Sequence, residues 1–399
     1  MKIRRTVPPA AAPVSAWDLF RGISGLFGDR YLGKFENEIR GYFGAESVFL
    51  ASSGKAALVL ILKGLASIRP RRKVLIPAYT CYSVPSAITK SGLEIALCDV
   101  DPDTLDFDFS QLERLADNQI LCIVSTHLFG IPSDVDRIRR ICREKGIFLV
   151  EDAAQAMGGS HAGRKLGTLG DVGFFSLGRG KNISCGSGGI ILTSSEEIAA
   201  GIRPFHRALR KENAWERIRD ISAILFTILF LNPYLYWLPN GLPFLGIGET
   251  RFLPDFPIYR FSNFKAAVLE RWQERMEQYN HRRVDSGRRY IEKLSTGTGI
   301  KIHSGGIPYL RFPFYAKTPE HKARICARGG VLGISPMYPE SVNRIEQLRW
   351  NFTGSEYPGA EKIAGTLMTL PTHILLKESD RKTICDTLAE TDIRGETKG

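Results

Sequence analysis

The sequence lacks the cysteine pattern of a disulfide framework or of a structural zinc site. Its seven cysteines are scattered, their number is odd, and none belongs to a C-x-x-C pair. Small secreted domains and zinc modules depend on paired or regularly spaced cysteines. We therefore predict reduced thiols in a cytoplasmic protein, and no bound metal.

Leader and nucleic-acid motifs are also missing. The basic residues in "MKIRRTVPPAAAPVSAW" precede no apolar leader segment, and no zinc-finger, helix-turn-helix or RNA-stacking motif is recognisable. Yet 54 Lys and Arg oppose 42 Asp and Glu, which gives a formal charge of +12. Such an excess attracts anions. We expect phosphorylated small molecules as ligands and contact with a membrane surface, but no nucleic acid.

The chain is long enough for two domains, and its pattern predicts an α/β protein. With 399 residues and 43% hydrophobic side chains, it can bury a large core. Short apolar runs alternate with helical patterns from about residue 47 to 152, which indicates a mostly parallel sheet flanked by helices. We predict a mobile arm and a short helix over 1–30, a large domain over 31–255, and a smaller C-terminal α+β domain over 256–399. The latter is expected to begin with one long amphipathic helix over 263–294, whose arginine cluster at 281–290 faces solvent.

Polar residues follow the predicted strands where ligands bind in such sheets. His127, Asp152 and Gln155 all lie at predicted carboxyl ends. The apolar run before Asp152 predicts a carboxylate with little water around it, which is costly unless a cation or a donor faces it. Asp152 is either the cap of the following turn or the partner of a protonated pyridine nitrogen.

The stretch "ASSGKAAL" predicts a helix that begins directly after a tight turn at Ser53 and Gly54. Free N–H groups at a helix start bind phosphate, although a plain N-cap explains the same residues. Ser176 is a candidate for a second phosphate contact.

A single lysine, Lys181, lies among glycines in "GDVGFFSLGRGKNISCGSGGIILT". The alternative to a functional role is a solvated surface side chain. A lysine, a shielded aspartate and a phosphate-binding helix start together predict a pyridoxal phosphate site, in which Lys181 binds the aldehyde of the cofactor covalently.

Several segments in their order carry a family resemblance: "SSGKAAL", "IPAYTCYSVPSAI", "DVDPDTLDFD", "STHLFGIPSDVDRI", "VEDAAQAMGG", "GTLGDVGFFSLGRGKN" and "YRFSNFKAAVLER". From about residue 31 to 390 the chain resembles the DegT/DnrJ/EryC1/StrS family of sugar aminotransferases. This resemblance implies the fold type I architecture of aspartate aminotransferase. It also implies a homodimer with shared active sites, and transfer of an amino group from glutamate to a keto sugar linked to a nucleotide, as in cell-envelope polysaccharide biosynthesis.

The resemblance also implies residue roles. Lys181 corresponds to the lysine that binds the cofactor, Asp152 to the acid at the pyridine nitrogen, and Gln155 to the contact of the phenolic oxygen. The expected phosphate contacts are Ser53, Gly54, Lys55 and Ser176. We further expect Cys81, Tyr82 and His127 near the cofactor ring, and Arg179, Tyr79 and Asn182 near the substrate.

Four positions depart from the family pattern. Lys55 replaces a usual Thr, Cys81 a stacking aromatic residue, Ser187 an acidic residue, and Ile258 an Asn that reaches the partner subunit. A related enzyme type has His in place of the lysine and removes a sugar hydroxyl, so Lys181 favours amino transfer. A sugar dehydratase and a non-catalytic regulator that binds pyridoxal phosphate remain as alternatives.

An apolar segment over about 219–247 is unusual for the family. The run from Ile221 to Leu231 covers eleven residues, or about 16 Å of helix at about 1.5 Å per residue, whereas a bilayer core needs about 20 residues. It is either a helix buried at an interface or a segment that dips into a membrane surface. In the second case Ile221, Leu225 and Leu229 would enter the lipid, with Tyr236 and Trp237 at headgroup level.

Overall fold

The computed structural model describes residues 5–242, 250–294 and 306–396. Residues 1–4 of the predicted arm and 243–247 of the predicted apolar segment lie outside the described residues. The strands are β1 (Ser47–Ala51), β2 (Lys73–Pro77), β3 (Glu94–Cys98), β4 (Ile120–Thr126), β5 (Phe148–Asp152), β6 (Ser160–His161), β7 (Arg164–Lys165), β8 (Val172–Ser176), β9 (Gly189–Thr193), β10 (Phe312–Tyr315), β11 (Ser335–Pro336) and β12 (Leu367–Leu370).

The structure describes the following α-helices. They are α1 (Ala16–Ser24), α2 (Arg30–Phe43), α3 (Gly54–Ile68), α4 (Ser83–Lys90), α5 (Phe109–Leu115), α6 (Val135–Lys145), α7 (Glu196–Arg207), α8 (Ala214–Phe230), α9 (Trp237–Asn240), α10 (Asn263–Val268), α11 (Trp272–Leu294), α12 (Pro319–Gly329), α13 (Pro358–Thr366) and α14 (Glu378–Glu396).

A seven-stranded sheet forms the centre of the fold, in the order β1-β9-β8-β5-β4-β2-β3. Its strands are parallel except β9, which pairs antiparallel with both β1 and β8. The strand residues are almost all buried, as expected for a parallel sheet covered on both faces. The predicted α/β class and the mostly parallel sheet are therefore confirmed.

A second sheet of three antiparallel strands, β10-β12-β11, lies in the C-terminal part of the chain. Helices α12 and α13 pack against it, and α14 packs against α12. This arrangement agrees with the expected small α+β region, whereas the boundary at residue 256 stays a prediction. Helix α10, which follows that boundary, packs against α1 and α2.

The expected long helix over 263–294 is wrong, because the chain breaks between α10 and α11. All side chains from Phe264 to Val268 are buried, including that of Lys265. Helix α11, in contrast, has one buried and one exposed face. A single straight helix could not bury 264–268 on all sides and still expose one face of α11.

The expected mobility of the N-terminal arm is also contradicted for the described residues. Val7 and Ala11 are 1% and 2% exposed, and Val7 N–H donates to Val331 O at 2.8 Å. A Cβ added at Gly180, the residue before Lys181, would lie 3.5 Å from the Ala10 side chain. The arm therefore packs against the lysine loop, and its apolar side chains are buried there.

Candidate active site

Three adjacent strands bring the predicted polar residues together. β4, β5 and β8 are neighbours in the sheet, and Thr126, Asp152 and Phe174 lie side by side in the register. His127 directly follows β4, Asp152 ends β5, and Ser176 ends β8. The carboxyl edge of the central strands is thus the candidate site.

Asp152 is buried and close to a cation. Its carboxylate is 5% exposed, and Oδ1 accepts a hydrogen bond from Ala154 N–H at 3.0 Å. Burial raises the pKa of Asp152, while the Lys181 ammonium opposes that effect. The turn-capping role is therefore present at one oxygen, and the other oxygen receives no hydrogen bond from the described residues.

The start of α3 and the end of β8 form a cradle. Ser53 Oγ accepts from Ala56 N–H at 3.2 Å, whereas the N–H groups of Gly54 and Lys55 have no acceptor in the described part of the chain. A Cβ added at Gly54 would lie 2.8 Å from Ser176 Cβ. Only glycine permits this approach, which brings two free backbone donors next to the Ser176 hydroxyl.

Lys55 follows Gly54 at the start of α3, and its side chain extends to an aromatic ring. Its half-buried Nζ lies 4.2 Å from the centre of the Phe256 ring, and Lys90 Nζ lies 5.1 Å from the same centre. Burial lowers the pKa of Lys55, the charge of Lys90 lowers it further, and Cys81 raises it.

The loop that carries Lys181 is fixed by hydrogen bonds to its backbone carbonyl oxygens. Arg283 of α11 donates to Lys181 O at 3.2 Å, to Asn182 O at 3.1 Å and to Ala11 O at 3.3 Å. Arg283 is 1% exposed, so the expected solvated cluster at 281–290 is wrong at this position. Sequence reasoning missed this residue because the arginines around it are charged alike and only the fold separates them.

Asn182 joins the lysine loop to α11. It is 1% exposed, and its Nδ2 donates to Asn280 Oδ1 at 3.3 Å. Its expected contact with the substrate stays a prediction. Arg179, in contrast, is exposed on the same loop.

Gln155 is fixed at both ends of its amide. Its Oε1 accepts from Phe129 N–H at 3.1 Å, and its Nε2 donates to Tyr338 Oη at 2.9 Å. Tyr338 was not predicted, since no pattern in "MYPES" indicates that it returns to the large sheet. One N–H of the Gln155 amide remains for a ligand.

His127 lies behind the site. Its Nε2 is 2.8 Å from Glu151 Oε2, and its Nδ1 accepts from Ser133 N–H at 3.2 Å. Both ring nitrogens have partners inside the protein, and the expected position of His127 near the cofactor ring stays a prediction. Burial raises the pKa of Glu151, but hydrogen bonds from His127 and from backbone N–H groups outweigh it and hold that pKa below its usual value.

The aromatic residues near β2 have different surroundings. Tyr82 is 6% exposed and its Oη donates to Glu340 O at 3.1 Å, so its hydroxyl is tied to the C-terminal part. Tyr79 Oη accepts from Tyr338 N–H at 3.3 Å, and the two rings are 5.3 Å apart. Cys81 is half-buried and acts on the pKa values of Lys55 and Tyr338. Of the pair Cys81 and Tyr82, the cysteine is therefore the one that faces the site.

Helix α8 exposes an apolar stripe. Leu225 and Leu229 are each 46% exposed, and Trp215 and Ile218 continue the stripe, whereas Ile221 is half-buried. In the described residues no helix is long and apolar enough to cross a bilayer.

Two aromatic residues of the segment after α8 turn inward. Tyr236 is half-buried, and Arg311 and Arg179 both act on its pKa. Trp237 is half-buried too, and its indole N–H is buried without a partner among the described residues. Both differ from the expected position at headgroup level, because the turn at 232–236 folds this segment back onto the protein.

Comparison with known proteins identifies the family of the chain. The sequence model of the DegT/DnrJ/EryC1/StrS aminotransferase family matches residues 26–389. The uncharacterized protein MJ1066 of Methanocaldococcus jannaschii is 32% identical over 309 residues, which are 72% of this chain and 79% of that protein. GDP-perosamine synthase of Caulobacter vibrioides is 33% identical over 174 residues, 44% of this chain and 47% of that enzyme. The match thus spans about half of that enzyme's length.

Solved structures share the fold. Spr1654 from Streptococcus pneumoniae in its PLP form has a TM-score of 0.76 at 18% identity, with 98% of this chain and 99% of that chain covered. The GDP-4-keto-6-deoxymannose-3-dehydratase ColD has a TM-score of 0.74 at 18% identity, with coverages of 96% and 100%. Because the family match covers most of the chain, this protein belongs to the DegT/DnrJ/EryC1/StrS aminotransferase family.

Proposed function

We propose that this protein is a pyridoxal phosphate-dependent aminotransferase that moves an amino group from glutamate to a keto sugar linked to a nucleotide. The observation that carries the proposal is the pair of Asp152 and Lys181 at the carboxyl edge of the sheet. The product would serve the biosynthesis of cell-envelope polysaccharide, lipopolysaccharide or a related amino sugar.

The residues present fit the cofactor. Gly54 leaves a cradle that a Cβ would fill, and two backbone N–H groups, Ser176 and Lys55 surround it, as a phosphate requires. Asp152 has one oxygen to which no described residue donates a hydrogen bond, which suits a protonated ring nitrogen. Bound pyridoxal phosphate supplies a ring that withdraws electrons from the carbon next to the transferred nitrogen.

Each side chain then has a defined task. Asp152 would keep the proton on the ring nitrogen, and the spare N–H of Gln155 would bind the phenolic oxygen. Lys181 Nζ would hold the cofactor covalently and, when free, would carry a proton to and from the substrate carbon. Arg283 orients Lys181 through its carbonyl oxygen, and the buried arm with Ala11 excludes water from that side.

Dehydration is the second candidate reaction, since the fold is shared with ColD, and a regulator without turnover is the third. The presence of Lys181 favours transfer, because it provides both the covalent attachment and the proton carrier. Borohydride treatment should place a reduced pyridoxyl label on Lys181, and a Lys181→Ala variant should carry none.

The substrate test uses ¹⁵N-glutamate with a set of GDP-, UDP- and dTDP-keto sugars. We expect one sugar to gain ¹⁵N in its mass spectrum. Loss of water without ¹⁵N would assign a dehydratase. A labelled Lys181 with no change in any sugar would favour the regulator, and an unlabelled Lys181 would reject all three.

We further propose a homodimer with shared sites, as in the family resemblance. The exposed apolar side chains of α1 and of the turn that follows it, Trp17, Phe20 and Phe27 among them, support an interface there. Light scattering should give about twice the mass of the chain, and a monomer at micromolar concentration would contradict this assignment.

Peripheral contact of the α8 stripe with an anionic membrane is a separate proposal. The exposed Leu225 and Leu229 support it, although Arg210 and Arg217 nearby are already paired with Glu216 and Glu212. Anionic liposomes should retain the wild type but not Leu225→Asp, whereas Leu115→Asp on α5 serves as an exposed control. A Leu225→Asp variant that loses the dimer instead would assign the stripe to a second copy.

A further inference from the structure

Arg311, directly before β10, is a half-buried arginine without an acidic partner. Its Nη2 donates to Ser335 Oγ, and its Nη1 lies 3.6 Å from Met337 Sδ. Its Nε is buried and has no hydrogen-bond partner in the part of the chain that the structure describes. No carboxylate of the described ranges forms an ion pair with it, whereas an enclosed cation normally has one.

The surroundings of Arg311 are rich in phenols and lack acids. Burial lowers the pKa of Arg311 to about 10, and the groups that oppose this effect are Tyr338, Tyr236, Tyr79 and Cys326. The guanidinium therefore remains protonated at neutral pH. Burial raises the pKa of all three phenols, so they stay neutral and keep their protons. No carboxylate of the described residues pairs with the guanidinium of this cluster.

Two of these phenols also have protons to donate. Tyr338 Oη accepts from Gln155 Nε2 at 2.9 Å, and Tyr79 Oη accepts from Tyr338 N–H at 3.3 Å. Each hydroxyl has a single proton, which these contacts leave unused. Within the described residues neither proton has an acceptor. An anionic ligand would accept hydrogen bonds from these hydroxyls and would pair with the guanidinium.

The cluster belongs to the same site as the lysine and the aspartate. Gln155 follows β5 and joins Tyr338 to the carboxyl edge, and Asp152 acts on the pKa of Tyr338. On the other side Tyr236 lies near both Arg311 and Arg179, and Arg179 is two residues before Lys181. The segment after α8 thus contributes an aromatic side chain to the substrate side.

We propose that Arg311, together with the Tyr79 and Tyr338 hydroxyls, binds a carboxylate of the amino donor. This inference rests on the proposed transamination, whose donor is an amino acid with a carboxylate beside the transferred nitrogen. A planar guanidinium fork matches a carboxylate, and the cofactor phosphate has its own donors at α3. The exposed Arg179 is placed for a second charge, either of the donor or of the sugar nucleotide.

The test measures binding to the cofactor-loaded protein by calorimetry. 2-Oxoglutarate probes the carboxylate site without turnover, and GDP, UDP and dTDP probe a diphosphate site. Arg311→Met should weaken 2-oxoglutarate binding by about 10- to 150-fold, the equivalent of about 1.5–3 kcal/mol for hydrogen bonds to a charged group, and leave the nucleotides within twofold. Arg328→Met, an exposed arginine of α12, is the matched control and should bind as the wild type does.

Two further variants keep the proposal testable if Arg311→Met fails to fold. Arg311→Lys retains the charge but loses the fork, and Tyr338→Phe removes one hydroxyl; each should weaken 2-oxoglutarate binding by about fivefold. Unchanged binding in the folded variants, weaker nucleotide binding alone, or no binding of 2-oxoglutarate to the wild type would each overturn the inference. Sugar amination with an unchanged dissociation constant in Arg311→Met rejects only the carboxylate site. Weakened binding in a protein that aminates no sugar rejects only the proposed transfer.

Discussion

The Asp220 carboxylate of α8 lies 2.7 Å from the Lys265 ammonium of α10. Lys265 is 0% exposed and Asp220 3%, and Lys265 Nζ donates to Ser187 Oγ at 2.9 Å. Ser187 stands in the lysine loop, where the family resemblance implies an acid. Asp220 therefore supplies from the apolar segment the charge that the loop lacks, and it ties α8 to the site.

Removal of Asp220 should destabilise the protein strongly. Asp220→Ala leaves the Lys265 ammonium buried and unpaired, and such a change costs about 3–5 kcal/mol. Urea unfolding should show this loss. The double variant Asp220→Ala with Lys265→Met should recover most of it, and Ser187→Asp should rescue the single variant. If Asp220→Ala lowers the free energy of unfolding by less than about 1 kcal/mol, Asp220 and Lys265 do not form an ion pair in solution.

Arg283→Met should loosen the lysine loop and the arm together. The variant leaves the carbonyl oxygens of Ala11, Lys181 and Asn182 without their donor, at about 1–3 kcal/mol for a buried unsatisfied group. Amide exchange over 8–14 and 178–185 should become about 5- to 150-fold faster. Arg282→Met changes an exposed neighbour on the same helix and should leave exchange unaltered. Equal exchange in both variants would refute the positioning role.

His373 should make the protein less stable in mild acid. Its Nε2 lies 2.7 Å from Pro8 O, and since a carbonyl only accepts, Nε2 carries the proton. Nδ1 is buried and has no partner among the residues described. Burial lowers the pKa of His373 to about 4, and the charges of Arg283 and Arg311 add to this effect, against Pro8 O and Asp380. The folded protein thus binds fewer protons than the unfolded chain between pH 4 and 6.5.

The sign follows from that difference in bound protons. The free energy of unfolding should fall by about 3 kcal/mol as the pH decreases from about 6.5 to about 4. His373→Gln keeps a donor for Pro8 O and cannot titrate. The difference in the free energy of unfolding between the wild type and this variant should therefore change by that amount over the same pH range. Parallel stability curves would show that His373 gains its proton without penalty.

Lys55→Thr, which installs the usual family residue, should weaken phosphate binding at the α3 cradle. The half-buried Lys55 ammonium lies beside Phe256, and its loss removes a charge-assisted contact worth about tenfold in affinity. The stabilisation of the cofactor-free protein by inorganic phosphate, measured as a shift in Tm, reports this. Lys63→Thr, an exposed lysine of the same helix, is the control. An identical shift in both variants would place Lys55 outside the cradle.

Local patterns were sufficient to predict the sheet and its polar edge. The strands of the large sheet are short, buried apolar runs bounded by turn residues, and Gly44 and Gly146 end their helices in the left-handed conformation. Parallel order then places Asp152 next to its neighbours at one edge. Nothing beyond the period of the sequence and the geometry of parallel strands is needed for that step.

Residues whose partners lie far along the chain could not be predicted in this way. Gln155 meets Tyr338 across 183 positions, and Arg283 meets Ala11 across 272. The buried arm has the composition of a flexible tail, with several prolines and alanines. Only the complete fold shows that the arm is packed, because no local signal distinguishes an apolar arm in solvent from a buried one.

The contact between Pro8 and His373 imposes an order on biosynthesis. The two residues are 365 positions apart, so the arm leaves the ribosome long before its binding site has been made. At about 5–20 residues per second, Pro8 waits for about 20–70 seconds. During that interval the arm has no partner, and a chaperone or a neighbouring nascent chain can reach apolar side chains that are buried in the finished fold.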